Sequence, residues 1–442
     1  MKTLHNISKY ISLAILMVFG AVGIASAQFD RDMQYYTNPD QTGLNQFEAP
    51  FDTDVEFDGL NVRIGGANTL QFQGISQENT GDPYFAGTDD NGNPIFKTLP
   101  ELENNFNLAT SNLDLDVALA SGLRMHLRTY LTSQHHTEAY VKSGYMQVDR
   151  LDFISEGLLS GLMDKLRIKI GHMELNYGDN HFRRTDNAFA IHNPFVGNYI
   201  MDSFTTEVAG EMYYYNNGMM AMLGVSNGKL NQSVIAKDIK THATVYGKLA
   251  YDKKMNEDTR FRLSASILNV SNSSSIYLYS GDRAGSRYYS VMDDGFRSGR
   301  FAPSFTPGFG QPAAAGEMTA FMLNPFVKFQ GFEFYGVFEN TSGNVKGNDS
   351  RTFNQYGAEA LYRFGANENF YLGARYNLVD GEMTNGDIEI DRFNIGGGWF
   401  LTKNVMAKLE YVTQSYNGDG YVGTKYEDGN FDGVMLEAVI SF

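Results

Sequence analysis

The sequence predicts an all-β protein: a transmembrane antiparallel β-barrel of about sixteen strands, with long extracellular loops and short periplasmic turns. Three observations carry that expectation. Apolar and polar residues alternate along most of the chain, the period of a strand and not that of a helix. The connections alternate between long and short, as in a barrel whose two rims face different compartments. An apolar leader opens the chain, and an alternating segment closes it at Phe442.

The elements follow in order. Lys2, His5 and Lys9 precede the apolar run Ile11 to Ile24, and Ala25-Ser26-Ala27 offers the small residues a signal peptidase needs, so residues 1–27 are expected to be a cleaved secretory signal. Residues 28–59 are expected to form an N-terminal periplasmic segment, too short for a plug domain, and 60–442 the outer-membrane barrel. Strands are expected at 60–74, 106–119, 123–133, 138–150, 166–173, 204–215, 219–226, 241–252, 259–270, 317–329, 332–341, 353–364, 369–380, 388–400, 405–416 and 431–442. Their lengths suit strands that cross a bilayer at a tilt. Leu123, Met125 and Leu127 alternate with Arg124, His126 and Arg128; Leu263 and Ile267 alternate with Arg262 and Ser264; Leu372 and Tyr376 flank Arg375. Asn216-Asn-Gly218 and Gln330-Gly331 are tight-hairpin signals. The long connections are 75–105, 174–203, 271–316 and 417–430. The connection 151–165 falls on the short side, where Glu156 to Met163 reads as a short helix at the barrel rim.

Composition narrows the classes. The 442 residues include no cysteine, which excludes disulfides, thiolate zinc sites and cysteine nucleophiles. Aromatics reach 14% while charged residues are only 19%, a profile of many strands rather than of disorder. The formal charge of −16 becomes −18 once the leader's two lysines are removed, which argues against a nucleic-acid partner.

On the predicted inward faces, Arg63, Arg124, Arg128, Arg167, Lys169, Lys248, Arg260, Arg262, Lys328, Arg363, Arg375 and Lys408 outnumber Asp114, Asp116, Glu333, Glu359, Glu410 and Glu437. Two readings stay open: a basic wall that favours anions, or bases each paired with a carboxylate. Loop 174–203 carries Asp179, His181, Arg183, Arg184, Asp186, His192 and Asp202. Folded inward, its adjacent arginines facing carboxylates would set a transverse field across a constriction; left outside, they would only stay wet. The expected pore-lining set is Arg124, Arg128, Arg167, Lys169, Arg183, Arg184, Arg262 and Arg375. His135-His136 seldom converge on a metal, and His172, His181 and His192 lack metal spacing. Asp89 to Asn93 reads as a turn, and Arg283, Arg287, Arg297 and Arg300 as a solvated face or an anion or lipopolysaccharide contact. No catalytic residue, metal ligand or cofactor is expected.

The stretch Arg167 to Arg184, a strand followed by Tyr177-Gly-Asp179, resembles the strand and inward loop of bacterial outer-membrane porins of the phosphate-selective and alginate-export type. Gly224 to Lys229 is similar to a strand end of those porins, and Asn324 to Gly336 resembles a hairpin of porins from Bacteroidetes. Where such porins carry Arg after the strand-end Gly, this chain has His172. The terminal Phe442 looks like the signal that outer-membrane barrels present to their insertion machinery. The resemblance implies passive diffusion of small hydrophilic solutes, with outer-membrane lipid and lipopolysaccharide around the barrel; monomer and homotrimer both stay open. A second class, a structural or adhesive barrel, would be supported by a lumen of matched charges and a plugging loop. A third, a barrel enzyme, finds no strand that puts a histidine beside an outward serine.

Overall fold

A computed structural model describes residues 32–442 apart from 82, 90, 132–138, 185–188, 231–232, 236–237, 257, 281–287, 293–298 and 307–313. The expected signal 1–27, His135-His136, Asp186, Arg283, Arg287 and Arg297 therefore lie outside the described residues.

The strands are β1 Asn61–Glu78, β2 Tyr84–Thr88, β3 Pro94–Lys97, β4 Asn105–Ala120, β5 Leu123–Leu131, β6 Ala139–Val148, β7 Leu166–Glu174, β8 Thr206–Asn216, β9 Met219–Ser226, β10 Thr244–Asn256, β11 Thr259–Ser273, β12 Gly316–Phe329, β13 Phe332–Val345, β14 Arg351–Phe364, β15 Phe370–Met383, β16 Gly386–Thr402, β17 Val405–Asn417 and β18 Asn430–Ser441. Sixteen of them form one closed antiparallel barrel in which β1 pairs with both β4 and β18. Each expected strand is present. The hairpin β2–β3 was not expected: Asp89 accepts bonds from the backbone N–H groups of Asn91 and Asn93, which closes its turn within the first long connection. The loop asymmetry is less uniform than the sequence suggested, because β13 to β16 run on until only residues 346–350 and 384–385 separate them at the long-loop rim. At the other rim, Asn217 and Gly218 have φ of 49° and 80°, the left-handed pair that a two-residue hairpin requires.

The barrel closes at its last residue. Phe442 exchanges backbone hydrogen bonds with Gly66, donating N–H to the Gly66 carbonyl and accepting at its own, each at 3.0 Å. A side chain at Gly65 would meet the Phe442 carbonyl oxygen at 2.7 Å, so this seam needs glycine.

Outward residues form an exposed apolar surface that includes Leu263, Ile267, Leu372, Ile395, Leu409 and Leu436. Near the short-turn rim, Tyr362, Phe364, Phe370 and Trp399 stack in series with centroids 5.6–6.5 Å apart, a segment of aromatic girdle. No described helix is long and apolar enough to cross a membrane. The alternation puts Leu123, Leu127, Leu263 and Leu372 on the outer side, while Arg124, Arg128, Arg262 and Arg375 are buried inward. Leu263→Arg should therefore cost roughly 2–4 kcal/mol of unfolding free energy in bilayer vesicles. A cost near zero in urea titration would mean that the outer face is not in lipid.

The inner wall has two halves. Toward the short turns it is polar, with Arg262, Ser264 and Ser266 in succession on β11; toward the long loops the same face continues as Leu268 and Val270. Val379, Ile388, Ile390, Tyr416 and Phe431 extend this apolar inner band around the barrel. The upper wall packs against inward loops, and the charged inward faces read from the sequence did not include this apolar band.

The segment read as lying before the barrel also differs in place. Phe47 sits inside, 5.5 Å from the Phe326 ring and 6.1 Å from Phe182, and the carbonyls of Ala49 and Pro50 accept bonds from Arg167. A short segment enters because its groups complete partners on the wall; no separate fold is needed. The expected rim helix is a single turn, Ser160–Met163.

Candidate functional site

Lumen charges are placed by strand register. Residues directly opposite on neighbouring strands share a face, so Asp114 on β4 meets Arg128 on β5, Glu359 on β14 meets Arg375 on β15, and Lys408 on β17 meets Glu437 on β18. All three pairs close at 2.7 Å. Arg167 reaches Asp149 at 2.6 Å, and Arg363 reaches Glu333 at 2.9 Å.

The third connection at the long-loop rim, residues 175–205 between β7 and β8, has its described parts inside the barrel and tied to walls on both sides. The Asn176 N–H donates to Glu211 and the Asp179 N–H to the Asn324 side chain. Further along, the N–H groups of Val196, Ile200 and Met201 donate to Glu410, Asn377 and Gln355 at 2.6–2.8 Å. Arg183 meets Glu359 at 2.6 Å, so one carboxylate is shared with Arg375, and Arg184 makes two 2.7 Å bonds to Asp202 within the loop. Arg183 and Arg184 both lie inside the barrel, each guanidinium buried against a carboxylate.

At the centre of the tether, Asp179 accepts from Lys248 at 2.6 Å, from Arg262 at 2.8 and 2.9 Å, and from Ser264 at 2.8 Å. Glu48 of the N-terminal segment binds the same two bases at 3.0 and 2.8 Å. Burial by itself would raise both carboxyl pKa values, but Arg262 and Lys248 overcome it: Asp179 is held well below the usual carboxylate range and Glu48 is lowered to about 2. Four chain segments, an N-terminal stretch, a loop and two adjacent strands, meet in this one network.

A second loop enters from the fifth connection at that rim, residues 274–315 between β11 and β12. Tyr279 and Tyr177 both donate phenol O–H groups to Glu339, at 2.7 and 3.2 Å, and Gln355 donates to the other oxygen. Tyr288 donates to Glu410 at 2.6 Å. Around these bonds, Ile200, Met201, Val291, Met292 and Phe305 are fully buried against the apolar inner band. The described parts of the two loops thus pack against the long-loop half of the inner wall in one hydrophobic cluster.

All eight expected pore-lining bases face inward, and all have a carboxylate partner. Six of the pairs close at 2.6–2.8 Å. Arg124 with Asp116 and Lys169 with Glu211 are looser, both at 3.5 Å. Of the two readings left open by the sequence, pairing is the one observed. Sequence reasoning missed Glu48, Asp149, Glu211 and Glu339 as partners. Asp149 and Glu211 carried a usable signal, being inward by alternation beside Arg167 and Lys169. The described residues contain no grouping of three His, Asp or Glu side chains suited to a metal.

Neither a protein-family model nor a curated protein matches this sequence. Solved structures do. An anion-selective porin from Comamonas acidovorans is similar with a TM-score of 0.52 and 12% identity, over 87% of this chain and 100% of that one. OmpT of Vibrio cholerae, an outer-membrane protein solved in a trimer form, gives 0.52 and 11%, over 87% and 100%. The outer membrane channel DcaP of Acinetobacter baumannii gives 0.51 and 13%, over 88% and 99%. At these identities the likeness establishes the fold, that of sixteen-stranded outer-membrane barrels.

Proposed function

We propose that this chain is an outer-membrane channel of the porin type for small hydrophilic solutes, held shut in the conformation described by its third and fifth connections at the long-loop rim. The observation that carries the reading is the charged inner wall of the short-turn half. Burying ions costs desolvation that apolar residues of similar volume avoid, so a barrel with no aqueous path would gain by doing without them. A sixteen-strand barrel is wide enough for a water-filled path once its loops withdraw. Residues 1–27 serve as the export signal in this reading, and Phe442 as the mark for insertion, which its removal tests through the yield of assembled barrel. A homotrimer is the assembly to examine first, by cross-linking in native membranes.

A structural or adhesive barrel is the second reading. It is favoured by the matched charges and by the apolar core between the loops. Planar bilayers separate the two: the channel reading expects stepwise currents from the refolded protein, brief and infrequent because the closed form dominates. Silence across many insertions, including after loop cleavage by protease, would leave the structural reading. Because the wall charges are matched, the open pore should discriminate only weakly between cations and anions.

A further inference from the structure

Residues 33–50 lie at the short-turn mouth but add no strand to the barrel. The barrel closes without them, and their regular structure is the single turn Gln41–Gly43. Separate bonds around the mouth hold the stretch in place. The Gly122 N–H, in the β4–β5 turn, donates to the Gln34 side chain at 3.0 Å. The Gln41 N–H donates to the Lys403 carbonyl at 2.8 Å, and its side chain to the Asn367 carbonyl at 3.0 Å, in the β16–β17 and β14–β15 turns. Asn45 donates to Glu333 on β13 at 2.6 Å, and its carbonyl accepts from Arg260 on β11 at 2.7 Å. Arg167 on β7 continues the circuit through the carbonyls of Ala49 and Pro50. The stretch is a strap whose release breaks no ladder between strands.

The strap also grips the third connection, residues 175–205. Phe47 meets the Phe182 ring edge-on at 6.1 Å, Glu48 accepts from the Asn176 side chain at 3.2 Å, and His192 Nε2 lies 3.1 Å from the Asp40 carbonyl oxygen. Leu44 packs against the cluster that contains Ala190, Ile191 and Phe195. Gly43 permits this approach, since a side chain there would meet the Asn38 carbonyl oxygen at 2.0 Å and His192 Nε2 at 3.1 Å. Glu48 and Asp179 share Lys248 and Arg262. A departing strap therefore takes away one of the two carboxylates that both bases share, and a buried ionic network broken on one side holds its loop less firmly.

We infer that residues 33–50 are an autoinhibitory strap: they narrow the short-turn mouth, lock the third connection inside the lumen, and leave their seat together with that connection when the barrel opens. A unit tied by side-chain bonds and not by a ladder belongs to the low-stability end of a fold, where release precedes global unfolding. The inference rests on the proposed channel only for what opening achieves; the coupling of strap to loop stands or falls by itself.

The test uses the full mature chain carrying Gln41→Cys and Lys403→Cys. No native cysteine competes, so oxidation pins the strap to the rim where the two residues already share a backbone bond. Hydrogen exchange in micelles is followed by mass spectrometry in peptides covering residues 41–46 and 196–201. In the reduced protein both should exchange at one common rate, ahead of the barrel strands. Oxidation should slow both by roughly a hundredfold, the effect of a typical disulfide, and should suppress openings in planar bilayers until reductant is added. Loop exchange that ignores oxidation overturns the lock, and so does a strap that exchanges only with the strands, since it is then a fixed part of the wall. Phe47→Ala, which needs no disulfide, should speed both peptides by one common factor of roughly a hundredfold; acceleration confined to the strap overturns the coupling. Currents present and equal in both redox states overturn the gate. Coupled exchange in a barrel that passes no current in either state counts against the channel alone.

Discussion

Glu339→Ala combined with Glu410→Ala is expected to open the barrel. Each carboxylate holds both inward loops at once: Glu339 through Tyr177 and Tyr279, Glu410 through the Val196 N–H and Tyr288. Truncation leaves those donors buried and unmatched in the closed form, at about 1–3 kcal/mol for each site, whereas withdrawn loops would give them to water. The closed form therefore loses at least about 2 kcal/mol relative to the open one, which raises the open population by about 30-fold or more. Time-averaged conductance in planar bilayers should rise by that factor until the open pore limits it. Tyr279→Phe with Tyr288→Phe should open the barrel less, because the rings still fill the core and only the phenol bonds are lost. A well-folded double alanine variant with unchanged conductance would mean that the apolar core alone holds the loops, or that no open form exists.

The barrel was legible in the sequence because its two determinants are local. Alternation fixes which side chains point in, and short turns fix register, so Asp114 opposite Arg128 or Glu359 opposite Arg375 needs only neighbouring strands. The closure was not legible, because its contacts join residues far apart in sequence. Nothing near Asp179 points to Lys248 or Arg262, and nothing near Phe47 points to Phe326. Only the folded barrel brings these groups within bonding distance. One signal was present and unread. On β11 the inward face passes from Arg262, Ser264 and Ser266 to Leu268 and Val270, and on β16 it begins with Ile388 and Ile390. An inner wall that turns apolar toward the long loops has to be covered by something apolar. The aromatic-rich connection 271–316 was the available cover.

Asp179→Ala should be among the most destabilising single changes to the closed form. It strips Lys248 and Arg262 of one of the two carboxylates that bind both, leaving them Glu48, with Asp252 for Arg262 alone. Breaking one side of a buried ionic network typically costs about 3–5 kcal/mol. The same network sets the response to acid. Asp179 and Glu48 have pKa values lowered in the folded state, so their contribution is fully present above the ordinary carboxylate range and is lost as pH falls through the folded values. With Glu48 near 2 and Asp179 also depressed, loop closure should persist at pH 4 and weaken only toward pH 2. Proteolysis of the third connection, sampled by brief exposure to pepsin across this range, measures it. Protection held to about pH 2.5 in the unsubstituted protein, but lost at neutral pH in Asp179→Ala under trypsin, is the expected pair of results. Cleavage of the unsubstituted loop already at pH 4.5 would show that its carboxylates titrate as free acids, and that the network does not anchor the loop.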